Sequence, residues 1–158
     1  MKRKFLQLTT LFLAVVLTAI CFTACGIYTN TVVATLDYKT EDAIVMTVTT
    51  TDGKATAFDA LKYLQDKGQI TFTYEDSTYG AFITAINGKE NVVTESTQNS
   101  SKGASWMFYT SDKENAYEET TTEINGVTYY SCAFGASGLV VKEGETYVWV
   151  YETYEYTW

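Results

Sequence analysis

What most constrains this chain is a rhythm: short runs of β-branched and aromatic residues recur along it, separated by turn signals, and a single stretch keeps helical spacing. "TVVATLDY" (31–38) and "AIVMTVTT" (43–50), with "DYKTEDA" as their turn, predict a hairpin. Asp52-Gly53 then leads into "TAFDALKYLQDKG". There Thr56 can cap a helix, Asp59 completes a capping box, Phe58, Leu61 and Leu64 share one face, and Gly68 stops it. "ITFTY" (70–74), "YGAFITAI" (79–86), "SWMFYT" (105–110), "VTYYSCAF" (127–134) and "TYVWVYETY" (146–154) read as further strands, the last after the turn Lys142-Glu143-Gly144-Glu145. Ser and Thr thicken in "TESTQNSSKG" (94–103), which reads as a long surface loop. A strand pair, a helix laid over the sheet and then more strands predict an α+β domain, a β-grasp-like mixed sheet with one main helix packed on it.

That domain is expected over residues 31–158, and what precedes it is different in kind. Lys2, Arg3 and Lys4 head an apolar run from Leu11 to Ile20, a pattern read as a signal peptide over residues 1–24. Ala24 before Cys25 resembles the lipobox of bacterial lipoproteins, so Cys25 is expected to be the lipidated first residue, with residues 25–30 as its tether. An uncleaved amino-terminal anchor is the alternative. Either way the domain is expected outside the cytoplasm, on the outer side of a bacterial cytoplasmic membrane.

The net charge is −8, and loss of the basic head would make the remainder more acidic still. Such a field repels nucleic acid phosphates and anionic headgroups, which argues against a nucleic-acid partner and leaves the lipid as the membrane attachment. With Cys21 in the leader and Cys25 lipidated, Cys132 has no disulfide partner and is expected to be a buried, inert thiol.

Histidine is absent, which removes the usual general base of triads, the commonest zinc ligand and the imidazole that often ligates cobalt or haem iron. A paired-carboxylate hydrolase is still allowed by composition, but the acids lie scattered in segments such as "KENAYEE" that read as solvated charge runs. The expectation is a non-catalytic protein with no metal and no required cofactor.

Aromatic residues concentrate in the second half: Tyr74, Tyr79, Trp106, Phe108, Tyr109, Tyr129, Tyr130, Phe134, Tyr147, Trp149 and Tyr151. Any one of them reads best as a core or cross-strand residue. Together they exceed what one face of a small sheet needs, so some rings are expected to form a binding surface. The order "TAFDALKYL", "STYGAFITAING", "ASWMFYTS", "FGASGL" and "KEGETYVWVYETY", from about Thr47 to the end, resembles a family of extracellular bacterial domains similar to the carboxy-terminal domain of transcobalamin and intrinsic factor.

In the vitamin B12 carriers this domain supplies one face of a cobalamin site and a helical barrel supplies the other. The resemblance therefore implies half a site: Tyr79, Gly80 and Phe82 on one strand, Trp106 and Phe108 on a neighbour, and Gly135, Ala136 and Ser137 in the loop before the last strand. A corrin is a broad apolar disc rimmed by amides, suited to aromatic edges and to close approach over glycine. Where many members follow the Trp strand with an Asn-Gly turn, this chain inserts an acidic excursion over residues 112–123, and Asn125-Gly126 comes later. No barrel is encoded, so a lone module is expected to bind weakly, to dimerise, or to work with a second binding or transport protein.

Two further readings stay open. One is a surface module that holds another protein or a cell-wall polymer through exposed rings and a free strand edge. The other is carbohydrate binding on tyrosine and tryptophan platforms.

Overall fold

The first two runs do pair: β1 (Val32–Lys39) and β2 (Ala43–Thr50) form an antiparallel hairpin. Thr40 Oγ1 closes its turn by accepting from the backbone of Asp42 and Ala43. The computed structural model describes residues 32–78 and 80–158. The leader, Cys25 and the tether lie outside these residues, as does Tyr79. Strand β1 buries Val32 and Ala34 on one face, whereas β2 buries Ile44, Met46 and Val48 on one face and Val45 on the other, because it is covered on both sides.

Helix α1 (Ala57–Asp66) is capped as its sequence requires. Thr56 Oγ1 accepts from Asp59 N at 3.2 Å, and the Asp59 carboxylate accepts from Thr56 N at 2.9 Å. Gly68 follows with a φ of +68°, and the bonds Gly68 N to Gln65 O and Gln69 N to Leu64 O close the last turn. Ala57, Ala60, Leu61 and Leu64 are buried. Phe58, expected on the buried stripe, lies half-buried at its margin, edge-on to Phe72 and Tyr74.

The remaining strands make two sheets. The larger has the order β1-β2-β10 (Thr146–Thr157)-β7 (Ser100–Thr110)-β9 (Val127–Cys132)-β8 (Ala116–Ile124), with β7 and β10 as its long central pair. Strand β6 (Val92–Ser96) pairs with one end of β7, and β9 (Val127–Cys132) with the other end of the same edge. The smaller sheet is β3 (Phe72–Ser77), β4 (Gly80–Ile86) and β5 (Lys89–Glu90), closed by Asn87-Gly88 with both residues at positive φ. Trp149, Tyr147, Trp106, Met46, Leu61, Ile83 and Ile86 share one core between the large sheet, the helix and the small sheet. Full burial of such a side chain contributes about 1.5–3 kcal/mol. The other face of the large sheet carries a second cluster of Val45, Tyr109, Tyr129 and Val148.

The architecture is α+β, but two expectations need correction. Every ladder among the described residues is antiparallel rather than mixed, since α1 leads into the small sheet and no crossover returns parallel to β2. The stretch read as a loop over 94–103 is instead the β6–β7 hairpin. Its β6 residues are all exposed, so no apolar alternation marks the strand. The acidic excursion is ordered too: a 3-10 turn (Lys113–Asn115) precedes β8 (Ala116–Ile124), which pairs with β9 around Asn125-Gly126. Glu152 of β10 ties this hairpin down by accepting from Tyr109 OH at 2.7 Å and Thr122 Oγ1 at 3.1 Å.

Candidate functional site

Along one edge of β7 the partner strands leave a gap, since β6 pairs over Ser101 to Ala104 and β9 over Tyr109 and Thr110. The small sheet fills that gap through Asn91. Its Oδ1 accepts from Trp106 N at 2.9 Å, its Nδ2 donates to Ile83 O at 2.8 Å, and its own N–H donates to Thr84 O at 2.8 Å. Trp106 Nε1 donates to Lys89 O and Tyr151 OH to Glu90 O, each at 2.8 Å. Aromatic side chains of the large sheet thus satisfy carbonyls of the small one, and Asn91 stands in for a missing ladder partner.

The loop after β9 docks against both sheets and the helix. Ala136 O accepts from Phe58 N at 2.9 Å and Leu139 O from Ala57 N at 3.0 Å, so loop carbonyls satisfy the first free N–H groups of α1. Ser137 Oγ accepts from Ala81 N at 2.8 Å. Gly80, with a φ of +101°, lies directly beneath that hydroxyl, where a Cβ would overlap it. Only glycine meets both demands.

Between these parts lies a cleft of about 150 Å³. Ala81, Phe82 and Ile83 of β4 form one wall, Trp106 and Phe108 of β7 with Trp149 of β10 form the floor, and Phe134, Gly135 and Ala136 close the far side. Phe108 and Trp149 stack at 4.2 Å between centroids and 15° between planes. Phe82 and Phe134 stand at the rim, 52% and 53% exposed. Among the described residues no charged side chain lines the cleft. Past Phe134 the surface opens into a shallower concavity of about 620 Å³ that runs along Gly138 to Glu143.

The residues singled out in the sequence therefore fall into distinct positions. Phe82, Trp106, Phe108, Gly135 and Ala136 meet around one cleft. Gly80 and Ser137 are not in its lining but fasten the loop to β4 behind it. Trp106 and Ala136 are buried, at 5% and 4% exposure, so they act as wall and support rather than as free platforms. Tyr79 lies outside the described residues. Phe134, Trp149 and Asn91 complete the arrangement without having been assigned to it. Phe134 was legible by the same logic as Tyr79, an aromatic residue just before a glycine, whereas nothing local marks Asn91.

The groups with displaced acidities lie outside the cleft lining. Burial first, and then the bond to Glu152, pushes Tyr109 up, and burial also raises Tyr147 to about 12. Burial, with the Asp112 charge second, raises the Cys132 thiol, a setting for an unreactive side chain. Burial alone would raise Asp112, but hydrogen bonds from Lys142, Asn115 and Glu114 N outweigh it and hold the carboxyl below its ordinary value. These groups belong to the loop supports and the sheet core, while the cleft itself offers rings, aliphatic surface and glycine backbone.

No protein-family model, curated protein or solved structure matches the chain.

Proposed function

We propose that the protein is a non-catalytic binding module that takes the edge of a flat, largely apolar ligand between Phe82 and Phe134. The observation that carries this reading is the cleft itself. Two exposed rings stand over a stacked Phe108–Trp149 floor, with no charge among the described lining residues and with a glycine loop allowing close approach. At about 150 Å³ it admits only part of a large ligand, and the adjoining concavity supplies surface for the rest. This is the behaviour of a half-site.

A corrinoid such as cobalamin is the flat ligand that the family resemblance implies, with its amide rim in solvent or against a second binding or transport protein. The β-grasp likeness belongs to the same reading and rests on the order of hairpin, helix and further strands. With Cys25 lipidated, the module would work at the outer face of a bacterial cytoplasmic membrane. Titration with cobalamin and cobinamide, followed by absorbance and by heat, tests ligand capture.

The second reading, a module for protein or cell-wall contact, is favoured by a different observation. An apolar patch that includes Val92, Val93 and Tyr156 is exposed on the far side of Phe82 from the cleft floor.

A further inference from the structure

We propose that the face of the large sheet opposite the cleft carries a second site, an open groove for a neutral oligosaccharide. This inference develops the cell-wall reading and does not rest on the corrinoid one. Residues alternate between faces along a strand, so Ser101, Gly103, Ser105 and Met107 of β7 point away from Trp106 and Phe108. Opposite them, Tyr154 pairs with Gly103 and Tyr156 with Ser101. The groove they form with Val92, Val93 and Phe82, which also stands at the rim of the cleft, measures about 400 Å³, within the roughly 300–1,000 Å³ typical of ligand pockets.

Its floor is built by a glycine. A Cβ at Gly103 would overlap the Val92 carbonyl and the Tyr154 ring, so the missing side chain lets Tyr154 lie down over β7. Tyr156 stacks on it, with centroids 5.2 Å apart and planes 23° apart, and remains 53% exposed. Two adjacent rings with an open side form a platform for the C–H face of a pyranose, which their negative faces attract. The hydroxyls of Ser101 and Ser105 flank it.

Charge decides the class of ligand. The chain carries a net −8, yet among the described residues no charged side chain lines the groove. Lys102 and Glu155, which neighbour it in sequence, are paired with each other at 2.9 Å on the opposite face. Glu152 shares the groove's face but is held by Tyr109 and Thr122. A neutral, hydroxyl-bearing ligand fits such a lining. A lipid chain would need enclosure, and the 62% exposure of Val93 shows that the groove is open.

The test is saturation-transfer NMR on the full chain with cellotetraose, chitotetraose and mannotetraose at millimolar concentration. Transfer to the ring protons of at least one is expected. Tyr156→Ala should weaken it about three- to tenfold, and Tyr156→Phe and Phe134→Ala should leave it unchanged. Should Tyr156→Ala misfold, Val93→Glu places a charge on an exposed position of the lining and should abolish transfer. No transfer from any of the three overturns the proposal, as does transfer indifferent to both groove variants. Sedimentation as a dimer that Tyr156→Ala dissociates overturns it as well and assigns the face to a second copy.

Discussion

Ser137 occupies, with its hydroxyl, the space that a Cβ on Gly80 would need, and from there it accepts the backbone N–H of Ala81 at 2.8 Å. This contact fastens the loop carrying Phe134 and Gly135 to the strand carrying Phe82, and so sets the width of the cleft. Gly80→Ala meets both the overlap and the positive φ, and is expected to cost about 1–3 kcal/mol in denaturant unfolding. In the double variant with Ser137→Gly part of that loss should return, because the overlap is relieved while the backbone strain stays. Strict additivity of the two changes would contradict the contact.

Alkaline pH is expected to destabilise the domain through its buried tyrosines. Tyr147 is raised to about 12 in the folded chain against an ordinary value of 10.0, chiefly by burial, and Tyr109 shifts in the same direction. The folded state thus favours the protonated phenol. The contribution is fully present below about pH 10 and is lost as pH rises toward 12. Chemical denaturation followed by circular dichroism across that window should show a falling midpoint, and Tyr147→Phe should flatten the fall. A midpoint that stays level from neutral pH to pH 12 would count against this.

The acid limb has a different source. Asp112 is held below its ordinary 3.8 by hydrogen bonds from Lys142, Asn115 and the backbone of Glu114, which outweigh its burial. Its stabilising contribution is present above that value and is lost as pH falls through the lower folded one. Asp112→Asn should lower the denaturation midpoint at neutral pH and make the loss below pH 4 shallower. An unchanged acid limb would show that other carboxylates govern it.

The lipid attachment is tested on intact cells. Labelled palmitate is expected to enter the full chain and to be absent from Cys25→Ala, while Cys21→Ala still incorporates it. Incorporation that survives Cys25→Ala would remove the proposed anchor.

Much of the fold was legible because its signals are local. The capping box of Thr56 and Asp59, the stop at Gly68 and the turn at Gly144 are written in adjacent residues, and each forms as read. Two of the strands that escaped notice, β6 and β8, are solvated on most of their length, so burial imposes no alternation there for a reader to find. The cleft was legible in part for a similar reason. Phe82, Trp106 and Phe108 stand out by type, and Gly135 and Ala136 by their loop, but which rings are exposed depends on how the two sheets meet. That meeting is set by Asn91 across a gap in β7, a long-range relation with no sequence signature. Hence Trp106 is a buried wall rather than a free platform. Trp106→Ala is expected to unfold the domain rather than merely weaken a ligand.

The most direct test of the central claim is titration of the full chain with cobinamide and cobalamin, by corrin absorbance and by calorimetry in parallel. The account predicts a saturable spectral shift with measurable heat. Phe82→Ala and Phe134→Ala should each weaken binding about tenfold, with the melting temperature unchanged because both rings are half exposed. Absence of any spectral change and any heat with both corrinoids, or binding indifferent to both substitutions, would contradict it.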